Sequence, residues 1–359
     1  MDNIGLDLHK RESQLCTLAE DGTVTERRIA TSRERLTAVL GARPPARVLL
    51  EASTESEWVA RHLEALGHTV VVADPNFAPM YASRSRRVKT DRRDARTLAE
   101  ACRTGGYRPV HRTSEAQRHV RAELAVRDAL VRTRARYIVL AKSLCRRDGL
   151  RVAPGASPRF LARLAAVELP LTLQAELRPL LALLRPLNEE IAAADARIAV
   201  LAEHDPLVAR LTTAPGVGPV TATAFVATLD DVTRFAGAHR GGGVPRARAD
   251  RVQLRREAAP RRDHQPAALH RKATGLAGNP RMRWLLVEAA WGVLRSKRPD
   301  TADLRAWAER IAVRRGRRTA VVALARRLAG ILYAMWRDGT DYGVPRARTD
   351  AAPALVGVA

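Results

Sequence analysis

Asn3-Ile4-Gly5-Leu6-Asp7-Leu8 is short, apolar-rich and carries a single acid. It reads as a strand. Two further strand-like runs, 14–19 and 23–31, are separated by the turn signal Glu20-Asp21-Gly22. The three runs predict an antiparallel start to a sheet. Ser32 then caps a helix reaching about Leu40, with Gly41 just past its end. Residues 47–50 form a buried-looking strand ending at Glu51. A helical run over 55–66 stops at Gly67, and 69–73 is another apolar strand closed by Asp74-Pro75. Strands and helices mixed in this order predict an α/β sheet with helices packed on it.

The chain has 359 residues, enough for two or three domains. Its 62 Lys+Arg outnumber 38 Asp+Glu, leaving a net charge of +24 and pointing to a polyanionic partner. Nearly all the bases are Arg, as GC-rich coding would give, but such coding does not create the excess over acids. Aromatic residues are only 4%, which argues against stacking platforms for single strands. No apolar stretch of about 18 residues and no signal peptide are apparent, so no membrane partner is expected. Cys16, Cys102 and Cys145 form no disulfide framework or thiolate zinc pattern, which suits a reducing cytoplasm.

The placement of acids is the most informative feature. Asp7 sits among Ile4, Leu6 and Leu8, and an acid inside an apolar strand costs several kcal/mol unless paired or bound to a cation. Glu51 ends the apolar strand Val48-Leu49-Leu50, a natural neighbour in the sheet. Thr90 is a fitting N-cap, and Asp91 and Asp94 share a face of the helix it starts, with Cβ atoms about 5–6 Å apart. Taken singly, Asp91 and Asp94 could merely complement the helix dipole, and Glu51 could be an ordinary strand-end residue. Together, Asp7, Glu51, Asp91 and Asp94 are candidate catalytic and metal-binding residues. Their hard oxygens suit Mg²⁺ or Mn²⁺. Two such ions about 3.5–4 Å apart can activate a nucleophile and stabilise a leaving oxygen in phosphodiester chemistry.

Beyond the acids the chain is helical and basic. Arg84, Arg86, Arg87 and Lys89 precede Thr90 as candidate nucleic-acid contacts. Residues 114–147 and 171–203 have long amphipathic patterns around a Pro/Gly-rich break, predicting an antiparallel helical arm. Gly216-Val217-Gly218 lies between two helical patterns. It could offer backbone N–H groups to a phosphate or simply be a helix–helix turn. Helical patterning returns after Gly278-Asn279-Pro280 and runs to about Trp336. Arg281 and Arg283 there are further candidate phosphate contacts, with a solvated basic face as the plain alternative. The predicted organisation is 1–110 metal-binding domain, 111–205 helical arm, 206–340 C-terminal domain and 341–359 irregular tail. Within the C-terminal domain, 240–275 is Arg-rich, aperiodic and expected to be disordered. Gly-Val-Pro-Arg-Ala-Arg occurs at both 243–248 and 343–348, and nothing in its chemistry explains the repetition.

Ile4-Gly5-Leu6-Asp7-Leu8-His9-Lys10, Leu49-Leu50-Glu51-Ala52-Ser53 and Lys89-Thr90-Asp91-Arg92-Arg93-Asp94-Ala95 resemble the DEDD transposases of the insertion-sequence-one-ten family. Ala214-Pro215-Gly216-Val217-Gly218-Pro219 and the run from Gly278-Asn279-Pro280-Arg281 to Trp291 are similar to that family's C-terminal transposase domain. The resemblance covers nearly the whole chain except about 240–275 and the tail. It implies an α/β RuvC/RNase H-like N-terminal domain, a coiled-coil-like helical arm and a mostly α-helical C-terminal domain. It also implies metal-assisted DNA cleavage and strand transfer for a bacterial insertion sequence. The partners it implies are DNA, a structured guide RNA from the same element, and further copies of the chain in a homodimer or homotetramer.

One departure matters. The family's Tyr-Leu-Gly-Leu-x-Pro stretch and its Ser-Ser-Gly, which supplies the serine nucleophile, are missing. No Ser occurs between Asp231 and Trp291. Residues 241–255 can nevertheless be encoded so that the frame one base on reads Val-Glu-Ala-Tyr-Leu-Gly-Leu-Val-Pro-Thr-Glu-Phe-Ser-Ser-Gly. The two serines then overlap Gln253 and Leu254. A compensated pair of frameshifts between about 238 and 275 is the expectation, with strand transfer lost or severely reduced in this chain. Two other fates remain open on the same ancestry: a non-catalytic nucleic-acid-binding remnant of a mobile element, and a RuvC-type junction resolvase that uses the acids without a serine.

Overall fold

The computed structural model describes residues 1–81, 90–233 and 279–343. The chain divides into two compact units, 1–113 and 114–359.

The first unit is built on a five-stranded mixed sheet in the order β3-β2-β1-β4-β5. Its strands are β1 (Asn3–Leu8), β2 (Glu12–Leu18), β3 (Val24–Ala30), β4 (Arg47–Glu51) and β5 (Thr69–Ala73). β1, β2 and β3 run antiparallel in succession, while β4 lies parallel to β1 and β5 parallel to β4. The predicted hairpin start is therefore present, with ends shifted by one or two residues. Period-two alternation gives each central strand two different faces. Ile4, Leu6, Val48 and Leu50 turn to one side and pack with Leu36, Leu40, Val59 and Leu63. The last four residues belong to α1 (Arg33–Leu40) and α2 (Ser56–Ala65). Ser32 caps α1 by accepting a hydrogen bond from the Arg35 amide.

The opposite face is covered by α3 (Asp91–Thr104). Leu98 and Cys102 of this helix pack with Leu49, and Ala95 and Ala99 pack with Cys16 and Leu18. Thr90 caps α3 through its side chain, which accepts from the Arg93 amide. Gly105 closes it in the left-handed conformation, as a helix C-terminus favours. Arg92 on α3 also pairs with Glu26 on β3.

The second unit is helical. α4 (Glu115–Arg147) and α6 (Leu171–Glu203) are each 33 residues long. Arg127 pairs with Asp195, Arg134 with Asn188, and Arg147 with Glu176. The partners step in opposite directions along the two helices, so α4 and α6 lie antiparallel. Their far end is closed by α5 (Phe160–Ala165), whose Phe160 and Leu164 pack with Ile138, Cys145, Leu173 and Leu177. The sequence pattern marked this region only as a break, because a six-residue helix is too short to show a period.

α7 (Pro206–Leu211), α8 (Pro219–Leu229) and the helices Pro280–Arg295, Ala302–Arg315 and Arg317–Asp338 form the rest of the core. The expected continuous helical run after Pro280 is thus broken twice, near Pro299 and at Gly316. By length and composition Arg317–Asp338 is apolar enough to cross a membrane, but Arg326 and Arg327 interrupt it, so no unbroken apolar run of about 18 residues occurs in it. Here it buries Ala320, Val321, Leu324, Leu328, Leu332 and Met335 against neighbouring helices. All three cysteines are buried and free.

Candidate metal centre

Gly5 and Asp7 face α3, because Ile4 and Leu6 face the opposite layer. A Cβ at position 5 would collide with the Ala95 carbonyl oxygen and the Ala99 nitrogen, and would stand 2.9 Å from the Leu98 carbonyl carbon. Only hydrogen at this position allows α3 to lie directly on β1. That close approach sets the first turn of α3 beside the end of β1.

Leu6 pairs with Leu50 in the parallel register, so Glu51 follows one residue on, beside Asp7. Asp94 is buried at 5% exposure, and Asp91 lies one turn earlier in a more open position. Burial is the largest influence on Asp7 and pushes its carboxyl up to about 6. His9 pulls the other way, and Asp94, Glu51 and Asp91 add to the rise by repulsion. All four sequence-selected acids therefore gather at the C-terminal ends of β1 and β4 and the N-terminus of α3.

His9 also belongs to this group, although it was not among the selected acids. Its Nε2 lies 3.4 Å from Asp7 Oδ2 and 3.3 Å from Asp91 Oδ1. One ligand atom each from Asp7, His9 and Asp91 lie within 4.8 Å of one another, close enough to hold a metal ion. The signal available in the sequence was the spacing: residues two apart on a strand share a face. Crowded carboxylates whose charges oppose one another, with oxygen donors in reach of one point, fit a hard divalent cation. A cavity of about 290 Å³ opens beside them, lined by His9 and Asp91 together with Arg11, Gln14 and Arg28.

The basic candidates fare differently. Arg84, Arg86, Arg87 and Lys89 lie outside the described residues, as do the whole of 240–275, with Gln253 and Leu254. Arg283 is exposed on Pro280–Arg295. Arg281 is only 20% exposed in its side chain and lies 3.9 Å from Asp128 on α4, which also pairs with Arg132 at 2.8 Å. Gly216 has a φ of +77° and packs on Pro280–Arg295, where a Cβ would stand 2.6 Å from Val293 Cγ2 and 2.8 Å from the Ala289 carbonyl oxygen. Gly218 is the N-cap of α8, with nothing within 4 Å of a Cβ there. The two glycines of one motif thus have different local demands.

Comparison with known proteins places the chain in a family. A family model for the DEDD transposases of the IS110 type matches residues 4–145, which include all four acids. A second, described as "Transposase IS116/IS110/IS902 family", matches residues 208–240. The chain is 30% identical over 356 residues to a "Probable family 20 transposase" of Pseudomonas aeruginosa, covering 95% of this chain and 98% of the relative. It is 27% identical over 350 residues to the "Transposase for insertion sequence element IS1111A" of Coxiella burnetii, with 92% and 88% covered. It is 26% identical over 344 residues to the "Transposase for insertion sequence element IS1328" of Yersinia enterocolitica, with 94% and 98% covered. The two family matches, which span the acids and the start of the C-terminal helices, and the similarity to a transposase along nearly the whole of both chains lead to one conclusion: the chain belongs to the IS110 family of DEDD transposases.

Proposed function

We propose that Asp7, Glu51, Asp91 and Asp94 are the catalytic, metal-holding acids of a RuvC/RNase H-like nuclease domain acting on DNA strands during transposition. The carrying observation is the gathering of four acids from β1, β4 and α3 around one strand end. The strand order, with an antiparallel trio continued by two parallel strands, supports the RNase H-like reading. A bound Mg²⁺ or Mn²⁺ would supply Lewis-acid stabilisation of charge on the phosphodiester oxygens. Asp94, buried in the first turn of α3, would hold its place with little freedom. Asp91, more open, would face the incoming strand. Arg11 and Gln14 on the cavity lining would position a phosphate beside the acids, whereas Arg28 there is paired with Glu12 at 2.6 Å.

The helical hairpin of α4 and α6 is read as the arm that joins copies of the chain into a homodimer or homotetramer. Exposed Val139, Leu140 and Leu183 on these helices support that reading. Arg84, Arg86, Arg87, Lys89, Gly216, Gly218, Arg281 and Arg283 are proposed contacts for DNA and for a structured guide RNA, in keeping with the net charge of +24.

Strand transfer through a covalent phosphoserine needs a hydroxyl that attacks phosphorus and releases a deoxyribose hydroxyl. Gln253 and Leu254 offer none. The C-terminal family match stops at residue 240, where the Arg-rich, aperiodic stretch begins, which supports a displaced reading frame from about 238 to 275. In that reading the chain keeps its metal centre and nucleic-acid affinity but not strand transfer, and it stands as a nucleic-acid-binding remnant. A RuvC-type resolvase is the second reading, and the intact acids favour it over complete inactivity. The test is a recombination assay with the chain, paired DNA segments, the element's RNA and Mg²⁺, alongside a four-way-junction cleavage assay. Recombination that depends on Asp7 would refute the loss of strand transfer. Junction cleavage that depends on Asp7 would select the resolvase. DNA binding without either reaction would select the remnant.

A further inference from the structure

We propose that His9 is a nitrogen ligand of the metal centre and sets its preference for Mn²⁺ over Mg²⁺. The inference rests on the reading that Asp7 and Asp91 bind a divalent cation.

His9 follows the last residue of β1 and projects to the same side as Asp7, two positions earlier. Its Nε2 stands between two carboxylates from different elements, 3.4 Å from Asp7 Oδ2 on β1 and 3.3 Å from Asp91 Oδ1 on α3. A single point is therefore faced by one ring nitrogen and two carboxylate oxygens, all within 4.8 Å of one another. A cation there would be within reach of all three donors. The imidazole side chain is 52% exposed and lines the cavity with Asp91, so an ion and its waters can reach it.

Donor chemistry gives the selectivity. Mg²⁺ takes oxygen ligands and keeps much of its water, whereas imidazole suits transition metals better. Four carboxylates alone would serve either ion. One nitrogen among them favours Mn²⁺.

The test uses the full chain with Mn²⁺ alone, then with competing Mg²⁺. Electron spin-echo spectroscopy of bound Mn²⁺ should show nitrogen-14 coupling that disappears in His9→Asn while Mn²⁺ still binds. The ratio of Mn²⁺ to Mg²⁺ affinity should fall on the order of tenfold in that variant. His9→Gln provides a second substitution, and circular dichroism checks that both variants fold. Nitrogen coupling that persists in both variants, or is absent from the parent chain while Asp7→Asn still removes Mn²⁺ uptake, overturns the His9 assignment and leaves the acid site standing. In that case His9 serves only as an ion-pair partner of the acids. Absence of any Asp7-dependent Mn²⁺ uptake overturns the metal centre and the His9 assignment together.

Discussion

Gly5 lies directly under Ala95: a methyl group at position 5 would overlap the Ala95 carbonyl oxygen. This contact between β1 and α3 brings the first turn of the helix to the strand end that carries Asp7. Gly5→Ala should destabilise the chain by about 3 kcal/mol or more, because helix backbone, not a flexible side chain, must move. Urea denaturation would read the loss. Divalent-metal affinity measured by calorimetry on the folded fraction should fall as well, since Asp91 and Asp94 move with α3. Wild-type stability in Gly5→Ala would show that the helix does not sit so close.

Asp7 gives a pH signature. Its carboxyl is pushed up to about 6 in the folded chain from an ordinary 3.8. Between these values the folded state holds more protons than the unfolded one, so stability falls as pH rises from about 4 to about 6. The difference is complete above that window and absent below it. A shift of this size would correspond to about 3 kcal/mol in full, and water at the partly wetted site reduces it to about 1 kcal/mol. Asp7→Asn should therefore be more stable than the parent at pH 7.5 without metal, and equal to it near pH 3.5. Thermal melts at both pH values would test this. Adding Mn²⁺ should stabilise the parent and leave Asp7→Asn unchanged.

The reading-frame proposal makes its own prediction. A version of the gene in which residues 238–275 are read one base on places serines at the positions of Gln253 and Leu254. That protein should gain strand transfer on the order of a thousandfold or more over the chain as it stands. Asp7→Asn in the restored protein should abolish the gain. Equal recombination by both forms, measured on paired DNA substrates with the element's RNA, would refute the proposal.

The two glycines of the C-terminal motif should separate packing from DNA contact. Gly216→Ala meets both a left-handed backbone and the Val293 and Ala289 contacts, so it should cost about 2–3 kcal/mol. Gly218→Ala has open space and an ordinary backbone, so it should cost only a few tenths to about 1 kcal/mol as a lost N-cap glycine. A drop in DNA affinity for Gly218→Ala at near-normal stability, read by fluorescence anisotropy, would place that turn on the nucleic acid. Unchanged affinity would assign the motif to packing alone.

Much of the fold was legible in the chain because the signals were local. Ser32 and Thr90 announced helix starts through their own side chains, and both caps are formed. Alternation and turn residues located all five strands within a residue or two. The long helices of 115–147 and 171–203 followed from apolar spacing, even across Pro179 and Pro186. What escaped was either too short for a period, as with Phe160–Ala165, or hidden by an uninterrupted pattern, as with the divisions after Pro280. Arg281 illustrates a different limit. As a charge in a basic run it reads as a phosphate contact or a solvated face, and only packing shows that its side chain keeps 20% exposure with Asp128 3.9 Å away.

The amino-acid order alone determined which residues would form strands and helices, and that an acid would sit within the apolar strand at position 7. It could not determine how the ends of β1, β4 and α3 would meet, since Asp7 and Asp94 are more than eighty residues apart in the chain. Tertiary packing decided that. A missing side chain at Gly5 let one helix settle onto one strand, and the settling brought Asp91 to His9 beside Asp7. Local propensity acts within a few residues, whereas the meeting of these charges is set by which buried faces can touch.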